Sequence, residues 1–418
     1  MEGYLRRGTS SLLDNLHCSV LLSACLVTNM MTATAPISPI YQNVWKVSQG
    51  LSTASLLTYF QDFNRLLSRR EYEGPRYLST LHLGLAALHL QLSPPDSRNK
   101  FYVMYWAIIS LRPLLLKLVQ RFPQSFSFGE AALVCQALIL SLVAAVMSLL
   151  TLEKISTRTL ALELANKLKT LEERFLSEEA TVVCLLTLWA GLVVVSVAVV
   201  GLYNLRGWQV TTNTRKIFHA AILLVFLSGL AWSPLLLLLS SYGLLAVMLG
   251  LETLRVTRLF PQLSDFLTER LRRFTDEKDN GPLILTNIYL LAGMSLPLWL
   301  DPTSPLHSQP AHFPLYCGLL SVGVFDSVAA VAGSSLGRTR WTRGSSRTLE
   351  GSLAGLLATI AAVFLLWRLG GVSVPSTANI LISAGLVMVV EALSSQVDNL
   401  SLPLVMLIST NVCTVFGV

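Results

Sequence analysis

Long apolar runs broken by short charged loops constrain this chain more than any other sequence feature. Runs of membrane-crossing length, about 18 residues or more, recur along its 418 residues. Charged residues make up only 13% of the chain, whereas a soluble globular domain has about a quarter. Backbone in lipid must satisfy its own hydrogen bonds, which helices do within one segment. The sequence therefore predicts an all-α fold, a polytopic transmembrane helical bundle.

The apolar runs predict roughly eleven to thirteen helices that cross or line the membrane. The expected spans lie near 16–36, 77–93, 101–121, 128–151, 180–203, 216–231, 234–254, 283–300, 314–333, 351–368, 376–395 and 401–418. Two further stretches, 45–62 and 153–179, are amphipathic, and their pattern favours helices on the membrane surface. We divide the chain into an N-terminal membrane region, 1–179, and a C-terminal catalytic membrane domain, 180–418.

The composition also excludes several classes of protein. The net charge of +7 comes from basic residues in short loops between spans, which suits an anionic membrane surface rather than nucleic acid. The six cysteines show no CxxC spacing, so we interpret them as small buried hydrophobes rather than zinc ligands. Nothing in the sequence fixes an oligomeric state.

The loops of the second half differ in charge in a regular way. Basic residues fill the loops near 206–216, 255–278 and 338–347, and two spans separate each of these loops from the next. The loops between them carry no Lys or Arg. The positive-inside rule places the basic loops in the cytoplasm. The polar stretch 391–399 follows two spans later, so we expect it on the same side.

Asp326 lies in or beside an apolar span and is the first candidate for chemistry. A carboxylate in hydrocarbon costs free energy, and such residues are often functional. Asp326 could bind Mg²⁺ or accept the proton of a substrate hydroxyl. The alternative is a structural carboxylate paired with an arginine of a neighbouring helix.

The loop 334–350 combines small residues with arginines. Small residues let backbone N–H groups approach phosphates, and arginine forks fit phosphate oxygens. It ends at Glu350, where the next helix begins, and a helix N-terminus favours an anion. It is not a Walker A loop. The alternatives are an ordinary basic cytoplasmic loop and, for the GxxxG spacing of Gly333 and Gly337, helix packing.

Two other polar stretches open spans of the second half. Arg215 and His219 are four residues apart with Lys216 between them, so a helix would place Arg215 and His219 on one face, where they could hold a phosphate. Asp276 and Asp279 belong to an acidic cluster that could bind Mg²⁺. The alternatives are basic anchors of a span and a solvated turn.

Glu391 and Asp398 follow the penultimate span. They are seven residues apart, so they would share one face of a continuous helix. Two carboxylates on one face could form a metal site or supply a base. Polar residues at the end of a span are the alternative.

The order and spacing of these motifs resemble the dolichol kinase family over 180–418, most specifically over Asp276–Leu300 and Gly323–Gly351. The resemblance implies CTP-dependent phosphorylation of dolichol to dolichyl phosphate at the cytoplasmic face of the endoplasmic reticulum, which supplies the lipid carrier for protein glycosylation. Asp326, Glu391 and Asp398 would be catalytic, and Asp326, Asp276 and Asp279 would hold Mg²⁺. The implied CTP-binding residues are Ser334, Ser335, Gly337, Arg338, Arg340, Arg343, Arg347, Thr348, Glu350, Arg215, Lys216 and His219.

The chain departs from the family pattern at residues 346–348, among other places, and two other functions stay open. Ser346-Arg347-Thr348 stands where the family usually has Lys-Lys-Thr, so one positive charge is missing. A phosphatidate cytidylyltransferase-like enzyme would instead form a CDP-lipid and release pyrophosphate. An ion-coupled transporter would use Asp326 and Glu391 to carry ions or protons.

The predicted sidedness can be tested with thiols introduced singly at residues 215, 276, 340 and 398. All four should react with a membrane-impermeant maleimide from the same compartment of sealed microsomes, because two spans separate consecutive patches. A thiol in the loop 301–313 is the control and should react only from the other side. Reaction of the four positions from opposite compartments would contradict the arrangement.

Overall fold

A computed structural model describes most, but not all, of the chain. The described residues are 12–33, 37–67, 98–152, 165–166, 169–170, 172–173, 176–206, 212–272, 281–301, 312–342, 346–394 and 396–418. The predicted span near 77–93 and most of the predicted amphipathic helix 153–179 lie outside this part. Two compact units can be distinguished, 1–27 with 36–166, and 28–35 with 167–418. The predicted boundary between 179 and 180 stays a prediction.

The first unit contains four of the described helices. Its helices are α1 (Leu12–Thr32, whose last turn belongs to the second unit), α2 (Pro39–Leu67), α3 (Arg98–Arg121) and α4 (Phe128–Leu152). The start of α4 is a capping box, in which Ser127 and Glu130 each accept a hydrogen bond from the other's backbone N–H. The stretch 45–62, expected on the membrane surface, instead packs as part of α2 against α3 and α4 and buries Leu51.

The second unit contains the polar motifs. Its helices are α5 (Glu179–Leu205), α6 (Thr212–Trp232), α7 (Pro234–Thr257), α8 (Pro261–Arg272), α9 (Thr286–Trp299), α10 (Ser327–Leu336), α11 (Leu349–Gly370), α12 (Thr377–Leu393) and α13 (Asp398–Val415). Before α10 the chain forms a 3₁₀ turn, Phe313–Tyr316, and then a π-helix, Leu319–Asp326.

The prediction of an all-α, multi-pass membrane protein is confirmed. Six helical segments of the described residues are long and apolar enough to cross a bilayer: Phe128–Leu149, Glu179–Val199, Pro234–Thr257, Phe313–Leu336, Leu349–Gly370 and Asp398–Val415. Three shorter apolar segments accompany them, Val20–Thr32, His219–Trp232 and Thr377–Leu393. The predicted span 283–300 differs, because its helix α9 has only 14 residues and contains Pro297.

The centre of the second unit is formed by α9, α13 and the π-helix. Backbones approach closely there, since a Cβ on Gly293 would collide with the Asn399 carbonyl of α13. A Cβ on Gly318 would lie 2.7 Å from the carbonyl oxygens of Gly293 and Met294. Small residues permit such close contact, which gives dispersion energy where lipid removes the hydrophobic drive for association. This close packing fixes the positions of the helices whose polar ends carry the motifs.

Buried polar groups tie together the helix ends that lie away from the motifs. The Asn379 amide donates a hydrogen bond to the Thr410 carbonyl at 3.0 Å, and the Asn411 amide donates to the Asn29 side chain at 2.6 Å. The Trp299 indole N–H donates to the Ser241 hydroxyl at 2.9 Å. Because polar groups in an apolar interior are costly unless paired, these contacts specify which helices meet.

A glycine-lined crossing joins α10 to α11. A Cβ on Gly351 would lie 2.6 Å from the Ala329 carbonyl oxygen and 2.8 Å from the Gly333 Cα. A Cβ on Gly355 would lie 2.9 Å from the Phe325 carbonyl oxygen. The packing interpretation of Gly333 therefore fits the structure. The crossing holds the start of α11 beside the end of the π-helix.

Substituting Gly351 with alanine should destabilise the protein by about 1–3 kcal/mol, because the new methyl group meets backbone atoms that cannot move aside cheaply. Gly243→Ala in α7 is the matched control, since nothing lies within 4 Å of its Cβ. That change should be neutral or stabilising by about 0.5–1 kcal/mol. Thermal unfolding in detergent micelles measures both, and equal effects of the two substitutions would refute the crossing.

Candidate active site

The first part of the site is a contact between α6 and the π-helix. The Nε2 atom of His219 lies 3.9 Å from a carboxylate oxygen of Asp326, and both side chains are largely buried. One turn along α6, Leu223 fills the space beside Gly323, where an added Cβ would lie 2.9 Å from it. This close approach sets the register that brings His219 to Asp326. π-helical turns occur often at functional sites, because they change the direction of a side chain within a helix.

The loop between α10 and α11 folds back on itself as a small hairpin. Arg340 pairs with Thr348, and the Leu349 N–H donates to the Thr339 carbonyl at 2.8 Å. The Glu350 carboxylate accepts hydrogen bonds from the backbone N–H groups of Arg338 and Thr339, at 3.1 Å and 3.0 Å. Thr348 caps α11 by accepting the Gly351 N–H at 3.2 Å. In the loop that was expected to bind phosphates, these two N–H groups thus hold the Glu350 carboxylate, and phosphate binding stays a prediction.

Arg347 connects this hairpin to α12 and α13. Its guanidinium donates two hydrogen bonds to the Asp398 carboxylate, at 2.7 Å and 2.8 Å. Its Nε lies 3.1 Å from a carboxylate oxygen of Glu391, and the guanidinium also donates to the Ser394 carbonyl. The Nη2 atom makes both bonds to Asp398, while Nε and Nη1 face Glu391 and Ser394, so each nitrogen of the guanidinium has a partner. Arg347 therefore fastens the loop to the ends of both helices.

A second chain of hydrogen bonds reaches Glu391 from the other side. The Trp341 indole N–H donates to the Ser352 hydroxyl at 3.0 Å, and that hydroxyl donates to Glu391 at 3.1 Å. Ser352 is buried in the first turns of α11. Sequence reasoning missed it, although a polar residue one turn after Thr348 in an apolar helix was the available signal. The Glu391 carboxylate thereby connects the loop, α11 and α12.

The electrostatics of the site are dominated by carboxylates. Burial lowers the pKa of the Arg347 guanidinium, but the charges of Asp398, Glu391 and Asp326 outweigh burial and raise that pKa above its ordinary value. Three carboxylates thus act on one guanidinium, with the imidazole of His219 beside Asp326. Carboxylate oxygens gathered in this way are donors of the kind that a hard cation takes.

The predicted site residues fall into three groups. His219 contacts Asp326, Arg347 contacts Glu391 and Asp398, and the charge of Asp326 also acts on Arg347. Ser334 and Ser335 lie in the last turn of α10, Arg338 and Arg340 in the loop, and Glu350 in the first turn of α11, with Gly337 and Thr348 in contact between the two helices. Asp276, Asp279 and Arg343 lie outside the described residues, and for Arg215 and Lys216 the structure describes only their helical backbone.

Glu391 and Asp398 do not share a continuous helix. α12 ends at Leu393 and α13 begins at Asp398, so the two carboxylates belong to different helices. They nevertheless meet, because Arg347 lies between them. The two carboxylates therefore lie close together across two helices, and not on one helical face as the seven-residue spacing predicted.

Arg255 was expected in a basic loop, whereas the structure buries it in the last turns of α7. Its guanidinium forms two hydrogen bonds with Glu252, at 2.8 Å and 2.7 Å, and also donates to the Pro282 carbonyl. Glu252 in turn accepts the Ile284 N–H at 2.7 Å. This pair, here called the Glu252–Arg255 clamp, fixes the segment that leads into α9. Opposite charges three residues apart at the end of an apolar run were the missed signal.

Comparison with known proteins bears directly on this arrangement. The model of the dolichol kinase family matches residues 91–393, which is more than half of the chain and includes every described member of the cluster except Asp398. The chain belongs to the dolichol kinase family. The resemblance found in the polar motifs is therefore confirmed, and the clustered residues belong to a member of this family.

Curated relatives support the same assignment. The chain is 40% identical over 249 residues to the dolichol kinase of Bos taurus, which covers 56% of this chain and 46% of that protein. It is 39% identical over 249 residues to the dolichol kinase of Homo sapiens, with the same shares. It is 31% identical over 206 residues to that of Saccharomyces cerevisiae, 48% of this chain and 37% of the relative. The chain spans about half the length of the curated relatives it matches. No solved structure matches it.

The donor set can be compared with what Mg²⁺ needs. Within the described residues, no group of three or more His, Cys, Asp or Glu side chains is placed to hold a metal ion. Mg²⁺ in nucleotide sites usually takes one or two carboxylates and completes its shell with phosphate oxygens and water. Asp326, a hard oxygen donor with 14% of its side chain exposed, fits that pattern. Asp326 could therefore supply one carboxylate ligand to such an ion.

Replacing Arg347 with alanine should destabilise the protein by about 3 kcal/mol, because the carboxyl groups of Glu391 and Asp398 would lose the counterion and hydrogen bonds that offset their burial. Arg347→Lys should lose less, since it keeps the charge but not the paired hydrogen bonds. Arg340→Ala in the same loop is the matched control, because its exposed side chain should cost less than about 0.5 kcal/mol. Thermal unfolding in detergent measures all three, and equal losses at positions 340 and 347 would contradict the described role.

Proposed function

We propose that this protein phosphorylates dolichol with CTP, giving dolichyl phosphate and CDP. The observation that carries the proposal is the carboxylate-rich cluster around Arg347 and Asp326, formed where the polar ends of several helices meet in a chain of this family. The curated relatives are named dolichol kinases, and we propose the same activity for this chain.

The physical demands of such a reaction agree with the site. A long isoprenoid cannot leave the bilayer, and a nucleoside triphosphate cannot enter it, so the two must meet where polar loops border apolar helices. The exposed Arg338 and Arg340 belong to the loop that ends at the cluster. Phosphoryl transfer needs mainly charge neutralisation and in-line placement. A basic loop beside a carboxylate cluster can supply both.

In the proposed reaction, the dolichol hydroxyl oxygen forms a bond to the γ-phosphorus while the bond from that phosphorus to the β–γ bridging oxygen breaks. The hydroxyl proton passes to a carboxylate of the cluster, and CDP leaves. Asp326 would hold Mg²⁺, which when bound neutralises charge on the phosphate oxygens. Arg347, fixed by Glu391 and Asp398, would hold the loop in position, while Arg338 and Arg340 would bind phosphate oxygens.

The cellular setting is part of the same proposal. The basic loops would face the cytosol, where CTP is available, and the membrane would be that of the endoplasmic reticulum. Dolichyl phosphate made there would supply the lipid carrier for protein glycosylation. The common location of the described motifs at one end of the helices of the second unit supports this sidedness.

Purified full-length protein, given γ-labelled CTP, Mg²⁺ and dolichol, should transfer the label to the lipid. Asp326→Asn should lower the rate by about 10²–10⁴-fold, because the neutral amide can neither hold the cation nor accept a proton. Asp265→Asn, which removes an exposed carboxylate of α8, is the matched control and should keep the wild-type rate.

Three outcomes would count against this function. Transfer of label from α-labelled CTP to a lipid would indicate cytidylyl transfer instead of phosphorylation. Absence of lipid labelling by well-folded protein would remove the kinase assignment. Full activity of Asp326→Asn would remove Asp326 from the reacting centre.

A further inference from the structure

The helix α8 follows α7 directly but was not expected from the sequence. α7 ends at Thr257 and α8 begins at Pro261, after a turn in which Arg258 adopts the left-handed conformation with φ of 52°. The Ser264 hydroxyl donates to the Arg255 carbonyl at 2.6 Å, so α8 is tied to the end of α7. A short helix is thus held at a fixed place beside the polar end of a membrane span.

One side of this helix is apolar and exposed. Leu263 and Phe266 are 39% and 54% exposed, and Leu259 and Phe260 in the preceding turn are 66% and 58% exposed. Asp265 and Glu269, one turn apart and both exposed, lie on a different, polar side of the helix. Four large apolar side chains together in water would be costly, at about 25 cal/mol per Å² of exposed apolar surface. The helix therefore needs an apolar partner on this side.

The surroundings identify that partner as a lipid surface. α8 follows directly from α7, a membrane-crossing helix whose own exposed residues include Val247 and Leu251. Arg258 lies 3.7 Å from Asp265, with both side chains largely exposed. The stretch 258–273 carries positive charge in excess, because Arg258, Arg270, Arg272 and Arg273 outnumber Asp265 and Glu269. Apolar side chains next to arginines are typical of helices that lie at the boundary of acyl chains and anionic head groups.

We propose that α8 lies in the plane of the membrane interface, with Leu259, Phe260, Leu263 and Phe266 among the upper acyl chains. Ser264 connects this anchor to the Glu252–Arg255 clamp, which holds the backbone at Pro282 and Ile284. The depth of the membrane surface thereby sets the height of the segment that leads into α9. This proposal does not depend on the reaction that the protein catalyses.

The test uses nitroxide labels on single cysteines at residues 263 and 266, with 265 and 269 on the polar side as controls. The natural cysteines are replaced by alanine, and the full chain is placed in bilayers of phosphatidylcholine and phosphatidylserine. Oxygen, which concentrates among acyl chains, and a water-soluble nickel chelate serve as collision partners. A label at Val195, an exposed residue of the membrane-crossing α5, shows the response of a lipid-facing position.

Labels at 263 and 266 should collide with oxygen in preference to the chelate, as the label at 195 does, whereas labels at 265 and 269 should show the reverse. Preference for the chelate at all four positions would overturn the proposal, because α8 would then lie in water. Weak collision with both reagents at 263 and 266 would also overturn it, since protein and not lipid would cover that side. The labelled positions are exposed, and every labelled variant shares the same cysteine replacements, so differences between positions report the surroundings of the label.

Discussion

The guanidinium of Arg347 holds two carboxylates from different helices, and the arrangement of the candidate site depends on this contact. Glu391 at the end of α12 and Asp398 at the start of α13 would repel each other without it. Removal of charges from water is costly, and the cost is recovered only when the geometry provides several hydrogen bonds. The paired bonds to Asp398 and the bond to the Ser394 carbonyl meet that requirement. The loop that carries Arg347 is therefore fixed at both ends.

Close backbone packing makes this electrostatic arrangement possible. Gly351 and Gly333 let α10 and α11 approach, and Gly323 lets α6 approach the π-helix beside Leu223. In lipid, helices associate through such close contacts and through buried hydrogen bonds rather than through release of water. The glycines bring the helix ends close together. The short side chains of Asp326 and Asp398 can therefore reach His219 and Arg347. The small residues and the charged residues thus stabilise the same arrangement of helix ends.

The sequence predicted the helical fold and most helix bounds, since hydropathy and length suffice for those. It also predicted that the motifs around His219, Asp326, Arg347 and Glu391 would meet, because charge asymmetry between alternate loops defines the two sides. The specific pairings could not be predicted. Whether Arg347 would face solvent, phosphate or Asp398 depends on the position of the hairpin, which tertiary contacts decide. The burial of Arg255 likewise depends on the end of α7, and helix ends are the least certain part of any pattern.

The π-helix limits which changes of sequence this protein can tolerate. Between Leu319 and Asp326 the chain forms a π-helix, in which backbone hydrogen bonds run to the fifth residue instead of the fourth. In a regular α-helix each residue turns the side-chain direction by about 100°. Deletion of a single residue here would let an ordinary helix form and rotate Asp326 away from His219. This stretch should therefore tolerate changes of side chain far better than any change in its length.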